Sequence, residues 1–440
     1  MFVSVHPGDP RNRLDPTSPR TREKGSTPPL LVNLDGTLVR TQLVFESILI
    51  LIKGNPFFLL RIPLWFCQGL AHFKAQVAAH VSLDPSSLPY DHEFIALLKA
   101  ERANGRRLWL CTDSNELLAT RISQHLQLFD GVLVVAQTVN FEKAPPAVRS
   151  RLKTLFQAMR PHQWAKNALL VVPLLAAHSA NHPSAVLASL VAMITFCLCA
   201  SSVYVLNDLL DLEADRANVR KCKRPFAAGL LPLSAGFVLA PALLGVAFSI
   251  AAFLPTPFMV VLTGYYVLTL AYSFTLKGKV LVDALVLACL YTLRIVAGAA
   301  AVNVPLSFWM LLFSIFLFLS LAFVKRYAEL EALRRRGQLQ AVGRSYEVPD
   351  LPILQSLGCA SGYLSVLVLA LYVNSPEVEA LYRRPQVIWA LCALLLFWIS
   401  RVWMMAQRGA MHDDPVVFAL KDRVSVGVGC LAVLVTTLAL

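Results

Sequence analysis

The stretch that decides the fold is SAVLASLVAMITFCLCASSVYVL at residues 184–206, followed directly by NDLLDLEADR at residues 207–216. The first segment has no charged side chain and is long enough to cross a bilayer, which takes about 20 mostly apolar residues. The second segment places several carboxylates where that helix leaves the membrane. The sequence therefore predicts a membrane-spanning helix with an acidic cluster at one end.

Similar apolar runs recur to the end of the chain, which is 56% hydrophobic and only 15% charged. A soluble domain is about 25% charged, and residues 1–165 have that soluble character. We therefore predict an all-α transmembrane bundle of about nine helices behind a small soluble α/β domain. The predicted spans are 168–179, 184–206, 237–254, 258–276, 280–302, 305–324, 353–373, 385–400 and 424–440.

The positions of the basic residues explain the net charge of +13. If the soluble front, residues 1–165, is cytoplasmic, the inner loops hold nearly all loop lysines and arginines, whereas the outer loops hold Arg383 and Arg384. This asymmetry follows the positive-inside rule. It predicts a multi-pass protein of the inner (plasma) membrane with a cytoplasmic front domain and active site, and it requires no nucleic-acid partner. The inner loops are 207–233, 276–280, 325–350 and 401–423.

Three aspartates of the quoted segment recur at helical spacing. If the span continues as a helix, Asp208, Asp211 and Asp215 lie at i, i+3 and i+7 and share one face, with Asn207 beside Asp211. Carboxylates gathered at a membrane surface repel one another unless a cation joins them. Mg²⁺ suits such a site because it accepts a few carboxylates together with phosphate oxygens. We therefore predict all four residues as catalytic residues and Mg²⁺ ligands.

A basic run, RKCKR at residues 220–224, follows the acidic segment. It would clamp the remaining charge of a diphosphate. The alternative is a solvated loop that only obeys the positive-inside rule, and for the basic run alone both interpretations stay open. The predicted donor contacts in this region are Arg216, Lys223 and Arg224.

The pattern NDxxDxxxDR, with the basic turn and Gly229 behind it, resembles the first aspartate-rich motif of the UbiA superfamily of intramembrane prenyltransferases. The resemblance covers roughly residues 157–440, and the predicted span count and orientation agree with it. It implies an Mg²⁺-dependent membrane transferase that acts on a diphosphate donor and a polyprenyl lipid.

Three further segments resemble one branch of that superfamily, the decaprenyl-phosphate phosphoribosyltransferases and close relatives. That branch moves a phosphoribosyl unit from phosphoribosyl diphosphate (PRPP) onto a polyprenyl phosphate. Members with aromatic acceptors share the architecture, so prenyl transfer to an aromatic or other acceptor stays an alternative. The segments are RPHQWAKN at 160–167, YSFTLK at 272–277 and DALVLACLYTLRIVAG at 283–298. They add these predicted substrate-binding residues: Arg160, Lys166, Tyr272, Lys277, Asp283 and Arg294.

The loop after span 305–324 lacks the second DxxxD motif that is usual in the superfamily. This departure argues against a prenyl-diphosphate donor and fits a lipid phosphate or PRPP that is bound partly by lysine and arginine. Glu329 and Glu331 have the alternative interpretation of a solvated helix face beside Arg334 and Arg335. The predicted binding residues here are Lys325, Arg326, Arg344 and Tyr346.

Two charged residues lie inside a predicted span, which is costly and usually functional. Asp283 and Arg294 are separated by roughly 16 Å along a helix, too far to neutralise each other. We place Asp283 near the cytoplasmic mouth, with the metal and phosphate site. Arg294 stays open between a lipid-phosphate contact and a structural pair with another span.

The predicted reaction is a dissociative substitution at an anomeric carbon. Mg²⁺ and the basic residues would stabilise the leaving diphosphate, and the incoming lipid phosphate is already a nucleophile. A non-catalytic lipid-binding membrane protein is the alternative from another class. The intact acidic motif argues against it, as does the absence of a pseudo-repeat in the spans, which many transporters have.

Residues 29–150 resemble a different family. LLVNLDGTL at 30–38 is similar to the first motif of haloacid dehalogenase (HAD) phosphatases, but Asn33 stands where the nucleophilic aspartate belongs. The strand ending at Thr112 resembles the second motif and Lys143 the third, while the later acidic metal-binding segment is missing. We predict a degenerate HAD-like domain without phosphatase activity, in which Asp35, Thr112 and Lys143 retain at most a phosphate contact.

The remaining segments suggest no further chemistry. Residues 1–28 have no secretory signal and are predicted to be a disordered leader. Residues 43–72 are very apolar and are predicted to be cap helices that rest on the bilayer or on the membrane domain. The nine cysteines have no metal-ligand spacing.

Overall fold

The computed structural model describes residues 29–439 apart from several short segments. The predicted leader, Lys143 and Arg344 lie outside the described residues. The chain forms two compact units, one of Met1–Ala158 with Val205–Leu239 and one of Met159–Tyr204 with Ala240–Leu440. The segments not described within 29–439 are 56, 82, 113–115, 135–147, 219–220, 340–344, 376–377, 379–381 and 412–413.

A parallel three-stranded sheet forms the core of the first unit. Its strands, in spatial order, are β1 (Leu30–Asn33), β2 (Leu108–Thr112) and β3 (Gly131–Val134). Leucine and valine side chains of β1 and β2 are buried against the helices that connect the strands. Because parallel neighbours need crossover connections, this alternation of strands and helices gives an α/β domain.

The described helices follow one another along both units. Helix α8 starts in the second unit and ends in the first, whereas α10 starts in the first and continues into the second. In chain order they are α1 (Leu43–Gly54), α2 (Phe58–Cys67), α3 (Leu70–His80), α4 (His92–Ala103), α5 (Glu116–Leu126), α6 (Val148–Ala158), α7 (Val172–Ala176), α8 (Pro183–Leu210), α9 (Leu212–Ala217), α10 (Leu233–Ala251), α11 (Thr256–Phe274), α12 (Val282–Ala301), α13 (Phe308–Arg334), α14 (Leu351–Val373), α15 (Trp389–Gln407), α16 (Pro415–Lys421) and α17 (Arg423–Ala439).

Seven of the described helices, α8 and α10 to α15, are long and apolar enough to cross a membrane. The prediction of nine spans was therefore wrong in its count. The first predicted span folds as a 3-10 segment, Pro161–Val171, followed by the short helix α7. Proline lacks a backbone N–H, so Pro161 and Pro173 start new pieces there. The last predicted span is α17, an apolar helix of 17 residues.

The 3-10 segment packs tightly against α12. A Cβ on Gly298 would lie 2.1 Å from the carbonyl oxygen of Leu170, so only glycine permits this approach. Leu170 is completely buried, in a cluster with Phe196 and Tyr265. The contact holds the polar residues of the 3-10 segment beside those of α12.

Helices α12 to α15 share an aromatic core. The rings of Tyr291 and Phe318 stack with their centroids 5.1 Å apart, and those of Tyr327 and Trp403 meet edge to face at 5.8 Å. A Cβ on Gly358 would lie 2.0 Å from the Trp403 ring. This close packing fixes the inward faces of α12 and α13, which carry four buried charged residues: Asp283, Arg294, Arg326 and Glu331.

Candidate active site

The acidic segment, residues 207–216, begins in the last turn of α8 and continues into α9. Asp211 is the junction, because α8 ends one residue before it and α9 begins one residue after it. Helical hydrogen bonding nevertheless continues through the junction. The N–H of Asp211 donates to the carbonyl of Asn207 at 2.9 Å, and the N–H of Asp215 donates to the carbonyl of Asp211 at 2.8 Å. Asp208 and Asp215 consequently remain on one side of the chain.

One guanidinium nitrogen contacts two of the three aspartates. Nη1 of Arg224 lies 3.2 Å from Asp208 and 2.5 Å from Asp215, and both carboxylates are buried. The third carboxylate, Asp211, lies 3.7 Å from the ammonium of Lys53. The expected convergence of three carboxylates is therefore seen for two. Within the described ranges, no group of three or more His, Cys, Asp or Glu side chains is arranged to hold a metal ion.

The donor atoms of this segment fit a divalent cation in chemical type. Asn207 Oδ1 is buried, and among the described residues it has no hydrogen-bond partner. An amide oxygen and carboxylates are hard oxygen donors, which Mg²⁺ prefers. The guanidinium of Arg224 supplies the positive charge that the neighbouring carboxylates of Asp208 and Asp215 require.

The other predicted donor contacts differ in their surroundings. Arg216 is nearly buried, and its two terminal nitrogens contact the carboxylate of Glu46 at 2.5 and 3.1 Å. Lys223 is exposed to solvent. Lys223 is therefore available to a ligand, whereas Arg216 is already bound within the protein.

In the second unit, two lysines converge on Asp414. Nζ of Lys166 donates to Oδ2 of Asp414 at 2.8 Å, and Nζ of Lys325 donates to the same oxygen at 3.1 Å. The hydroxyl of Tyr291 donates to Oδ1 at 3.0 Å. Asp414 also caps α16, because it accepts the N–H of Val416 at 3.2 Å. Two ammonium groups thus share one carboxylate, and this group, the lysine cluster, carries net positive charge.

Burial and neighbouring charges shift titration in the lysine cluster. Burial and the charge of Lys325 lower the pKa of Lys166 to about 8, although Asp414 opposes the shift. Burial alone would raise the pKa of Asp414, but the two lysines outweigh it and hold that pKa well below its usual value. Lys166 is therefore an ammonium group that loses its proton unusually early as the pH rises.

Asp283 lies at the centre of a second buried network. Arg326 donates to it through Nη2 at 3.0 Å and pairs with it through Nε, and the hydroxyl of Tyr272 donates at 2.8 Å. Arg326 also contacts Glu329 at 2.5 Å. The hydroxyl of Tyr346 accepts the backbone N–H of the residue before α12 at 2.9 Å. The structure therefore brings together four of the predicted binding residues of the second unit.

Arg294 donates three hydrogen bonds within the second unit. Its Nε donates to Asn167 at 2.9 Å, its Nη2 to the hydroxyl of Tyr265 at 2.9 Å, and its Nη1 to the carbonyl of Leu290 at 2.5 Å. The ring of Tyr291 lies 5.4 Å from the guanidinium carbon. Of the two interpretations left open above, this geometry favours the structural pair.

The remaining predicted residues have other surroundings. Arg160 has a left-handed backbone with φ of 53° and stacks on Tyr204 at 5.4 Å. Lys277 is half-buried in the turn after α11. Glu331 is buried, not solvated, although it pairs with Arg334 and Arg335, which are exposed.

Sequence reasoning missed Asp414, the carboxylate to which both lysines bind. Asp414 lies 248 residues from Lys166, so spacing does not relate the two. A weak signal was available, because Asp414-Pro415 before an apolar run is a typical helix start on the predicted cytoplasmic side.

Comparisons with known proteins agree with the membrane architecture. A UbiA homologue from Archaeoglobus fulgidus, solved bound to GPP and Mg²⁺, superimposes with a TM-score of 0.50 at 14% identity, over 64% of this chain and 99% of that chain. At this identity the likeness concerns the fold alone. The sequence model of the UbiA prenyltransferase family matches residues 168–420.

Relatives extend the match beyond the spans. The uncharacterized protein y4nM of Sinorhizobium fredii is 32% identical over 92% of this chain and 89% of its own. The nodulation protein NoeC of Azorhizobium caulinodans is 36% identical over 63% of this chain and 90% of its own. The decaprenyl-phosphate phosphoribosyltransferase of Mycolicibacterium smegmatis is 32% identical over 64% and 92%, respectively. With its candidate spans and a family match across more than half its length, this chain is an integral membrane protein of the UbiA prenyltransferase family.

Proposed function

We propose that the chain transfers a phosphoribosyl group from PRPP to a polyprenyl phosphate at the cytoplasmic face of the inner membrane. The lysine cluster carries this proposal. Lys166 and Lys325 share the single carboxylate of Asp414, which leaves positive charge in a largely buried place. Such a place suits a phosphate monoester. A second Mg²⁺-bound diphosphate would require several carboxylates there.

Two further observations support a lipid phosphate as the acceptor. The similar proteins include decaprenyl-phosphate phosphoribosyltransferases at 32% identity over 64% of this chain. The second unit also contains a cavity of about 1460 Å³, with mostly apolar walls formed by α7, α13, α14, α15 and α17. Trp309, Phe313 and Leu395 are among its lining residues, and their surface suits a polyprenyl chain.

The acidic segment would bind the donor. Asn207, Asp208 and Asp215 would hold Mg²⁺, which neutralises charge on a diphosphate when bound. Arg224 and Lys223 then contact the phosphate oxygens of PRPP. In the reaction, the bond from C1 of the ribose to the diphosphate oxygen breaks, and its electron pair leaves with diphosphate. A new bond forms between C1 and an oxygen of the lipid phosphate, which is already anionic and needs no general base.

We also propose that the front domain is a degenerate HAD-like domain. Asn33 ends β1 and Thr112 ends β2, so both residues of the motif-like segments lie at the carboxyl edge of the parallel sheet. An amide is not a usable nucleophile. Asp35 accepts the N–H of Leu43 at 2.9 Å, which ties it to the start of α1.

The test uses membranes that contain the protein, Mg²⁺, labelled PRPP and polyprenyl phosphate, followed by lipid extraction. We expect label in the lipid phase, its loss in Asp208→Ala, and a strong reduction in Lys325→Met. Lys153→Met removes an exposed lysine of α6 and serves as the matched control with unchanged transfer. Label transfer only from a prenyl diphosphate to a phenolic acceptor would replace this proposal with the aromatic prenyltransferase, and no transfer to either acceptor would favour a non-catalytic lipid-binding protein.

A further inference from the structure

The acidic segment shares a compact unit with the front domain. Residues 205–239, which contain all its aspartates, belong with Met1–Ala158. The loop that follows passes directly over the backbone of Arg40. A Cβ on Gly229, whose φ is +68°, would lie 2.6 Å from Cβ of Arg40. The ring of Phe45 in α1 contacts that of Phe237 in α10, with centroids 5.4 Å apart. These apolar and backbone contacts hold Arg40 and α1 against the chain that follows the acidic segment, independently of any charge.

The main polar contact between α1 and α9 is a bidentate ion pair between Glu46 and Arg216. The two terminal nitrogens of Arg216 lie 2.5 and 3.1 Å from the two oxygens of Glu46, and the side chains are 9% and 5% exposed, respectively. Arg216 also donates to the carbonyls of Ser87 and Ala227, at 3.3 and 3.4 Å. A planar guanidinium held at both ends cannot rotate freely. Glu46 therefore fixes the orientation of α9.

The orientation of α9 sets the direction of Asp215. Arg216 follows Asp215 directly in this short helix, so a rotation that released Arg216 would also turn the carboxylate away from Arg224 and Asp208. Glu46 also keeps a second guanidinium away from the aspartates, because Arg216 is occupied elsewhere. Among the described ion pairs, Asp208 and Asp215 consequently share one arginine, Arg224.

A second residue of the same helix face contacts the same segment. Lys53 lies seven residues after Glu46 in α1, which is two helical turns and therefore the same side. Its ammonium is 3.7 Å from Asp211, with side-chain exposures of 48% and 29%. One face of α1 thus contacts both the junction Asp211 and the α9 residue Arg216.

From these contacts we infer that the front domain serves the transferase as a positioning element, with Glu46 as the positioning residue that orients Asp215 for cation and diphosphate binding. This inference rests on the proposed function only in that the acidic segment holds the cation. It gives a purpose to a domain that lacks a phosphatase nucleophile. Removing a group that orients a metal ligand typically weakens metal binding by about 10- to 100-fold.

The experiment measures binding of Mn²⁺, as a paramagnetic substitute for Mg²⁺, to the detergent-solubilised full chain in the presence of inorganic diphosphate, by electron paramagnetic resonance. We expect Glu46→Gln to weaken Mn²⁺ binding by roughly 10-fold or more. Glu101→Gln is the matched control, because Glu101 pairs with Arg106 on the surface of the same domain, and it should bind Mn²⁺ like the wild type. Thermal unfolding of each variant reports whether the fold is retained.

Arg216→Lys keeps the charge but loses the bidentate geometry. This variant therefore tests the role of the Glu46–Arg216 pair if Glu46→Gln fails to fold. Weakened Mn²⁺ binding in Arg216→Lys supports the inference, and wild-type binding in a folded Glu46→Gln or Arg216→Lys protein overturns it. A wild-type chain that binds no Mn²⁺ overturns both the inference and the metal site. A wild-type chain that binds Mn²⁺ and diphosphate but transfers no phosphoribosyl group refutes the proposed reaction and leaves the role of Glu46 intact.

Discussion

Replacing Asp414 with asparagine should destabilise the protein and at the same time tighten phosphate binding. The carboxylate lies 2.8 and 3.1 Å from the ammonium groups of Lys166 and Lys325, and its side chain is only 9% exposed. Asparagine keeps the shape of the side chain and can still accept the hydrogen bond from Tyr291. The two lysines, however, lose the negative charge that they share.

The size of the effect follows from the burial of the cluster. Removing one partner from a buried ion pair typically costs about 3–5 kcal/mol, because the other charge stays buried without compensation. Lys325 is 30% exposed and can turn partly to water, which places the expected loss near the lower limit. Without Asp414, the pKa of Lys166 falls further below its value of about 8, so Lys166 sheds its proton more readily. The loss of stability should therefore shrink between pH 7 and pH 9.

The assay has two parts, both on the detergent-solubilised chain. Thermal unfolding at pH 7 should show a Tm lowered by roughly 5 °C, with a smaller drop at pH 9. Calorimetric titration with inorganic phosphate should show tighter binding, because the phosphate now supplies the missing negative charge. Asp422→Asn is the matched control, since Asp422 pairs with Arg401 at 2.7 Å in a more exposed position and asparagine preserves its helix-capping role. An unchanged Tm, or weaker phosphate binding, would refute our account of the lysine cluster.

Three further changes test other parts of the molecule. Lys166→Arg should remove the loss of transfer activity above about pH 8, because burial lowers the pKa of Lys166 to about 8 whereas arginine stays charged; a pH profile with an unchanged alkaline limb would contradict this. Gly298→Ala should cost about 1–3 kcal/mol through overpacking, since its Cβ would meet the Leu170 carbonyl, whereas Gly264→Ala has open space and should show no loss in thermal unfolding. Asn33→Asp should not create phosphatase activity, and turnover of p-nitrophenyl phosphate by that variant would show that the front domain is more intact than we propose.

The sequence predicted the membrane-spanning helices well where one physical signal acted alone. The uninterrupted apolar run that ends at Leu206 indicated a span, and α8 covers it from Pro183 to Leu210. The signal was insufficient where two effects competed. Around Pro173 the composition is apolar enough for a span, but prolines lack an N–H and start new pieces. The chain there divides into the 3-10 segment Pro161–Val171 and the short helix α7.

The candidate site was predictable only as far as local spacing reaches. The acidic motif was visible because its residues lie within two turns of helix, and the structure indeed places Asp208 and Asp215 at one guanidinium. Partners from distant parts of the chain were not visible. Glu46 lies 170 residues from Arg216, and no periodicity relates them. Its one sequence signal is that it is an isolated carboxylate in the apolar run of α1.

Arg216 shows why the identity of a motif residue does not determine its role. Spacing predicted that Arg216 and Arg224 would both contact the diphosphate, since both are arginines near the aspartates. Arg216 is 9% exposed and bound at both nitrogens by Glu46, and releasing it would leave that carboxylate buried without compensation. Arg224 is 27% exposed and contacts the two aspartates through one nitrogen, so it can turn to an incoming phosphate at a lower cost. We therefore propose Arg224 for donor binding, whereas Arg216 holds the segment to Glu46, a division that rests on burial and could not be made from residue type.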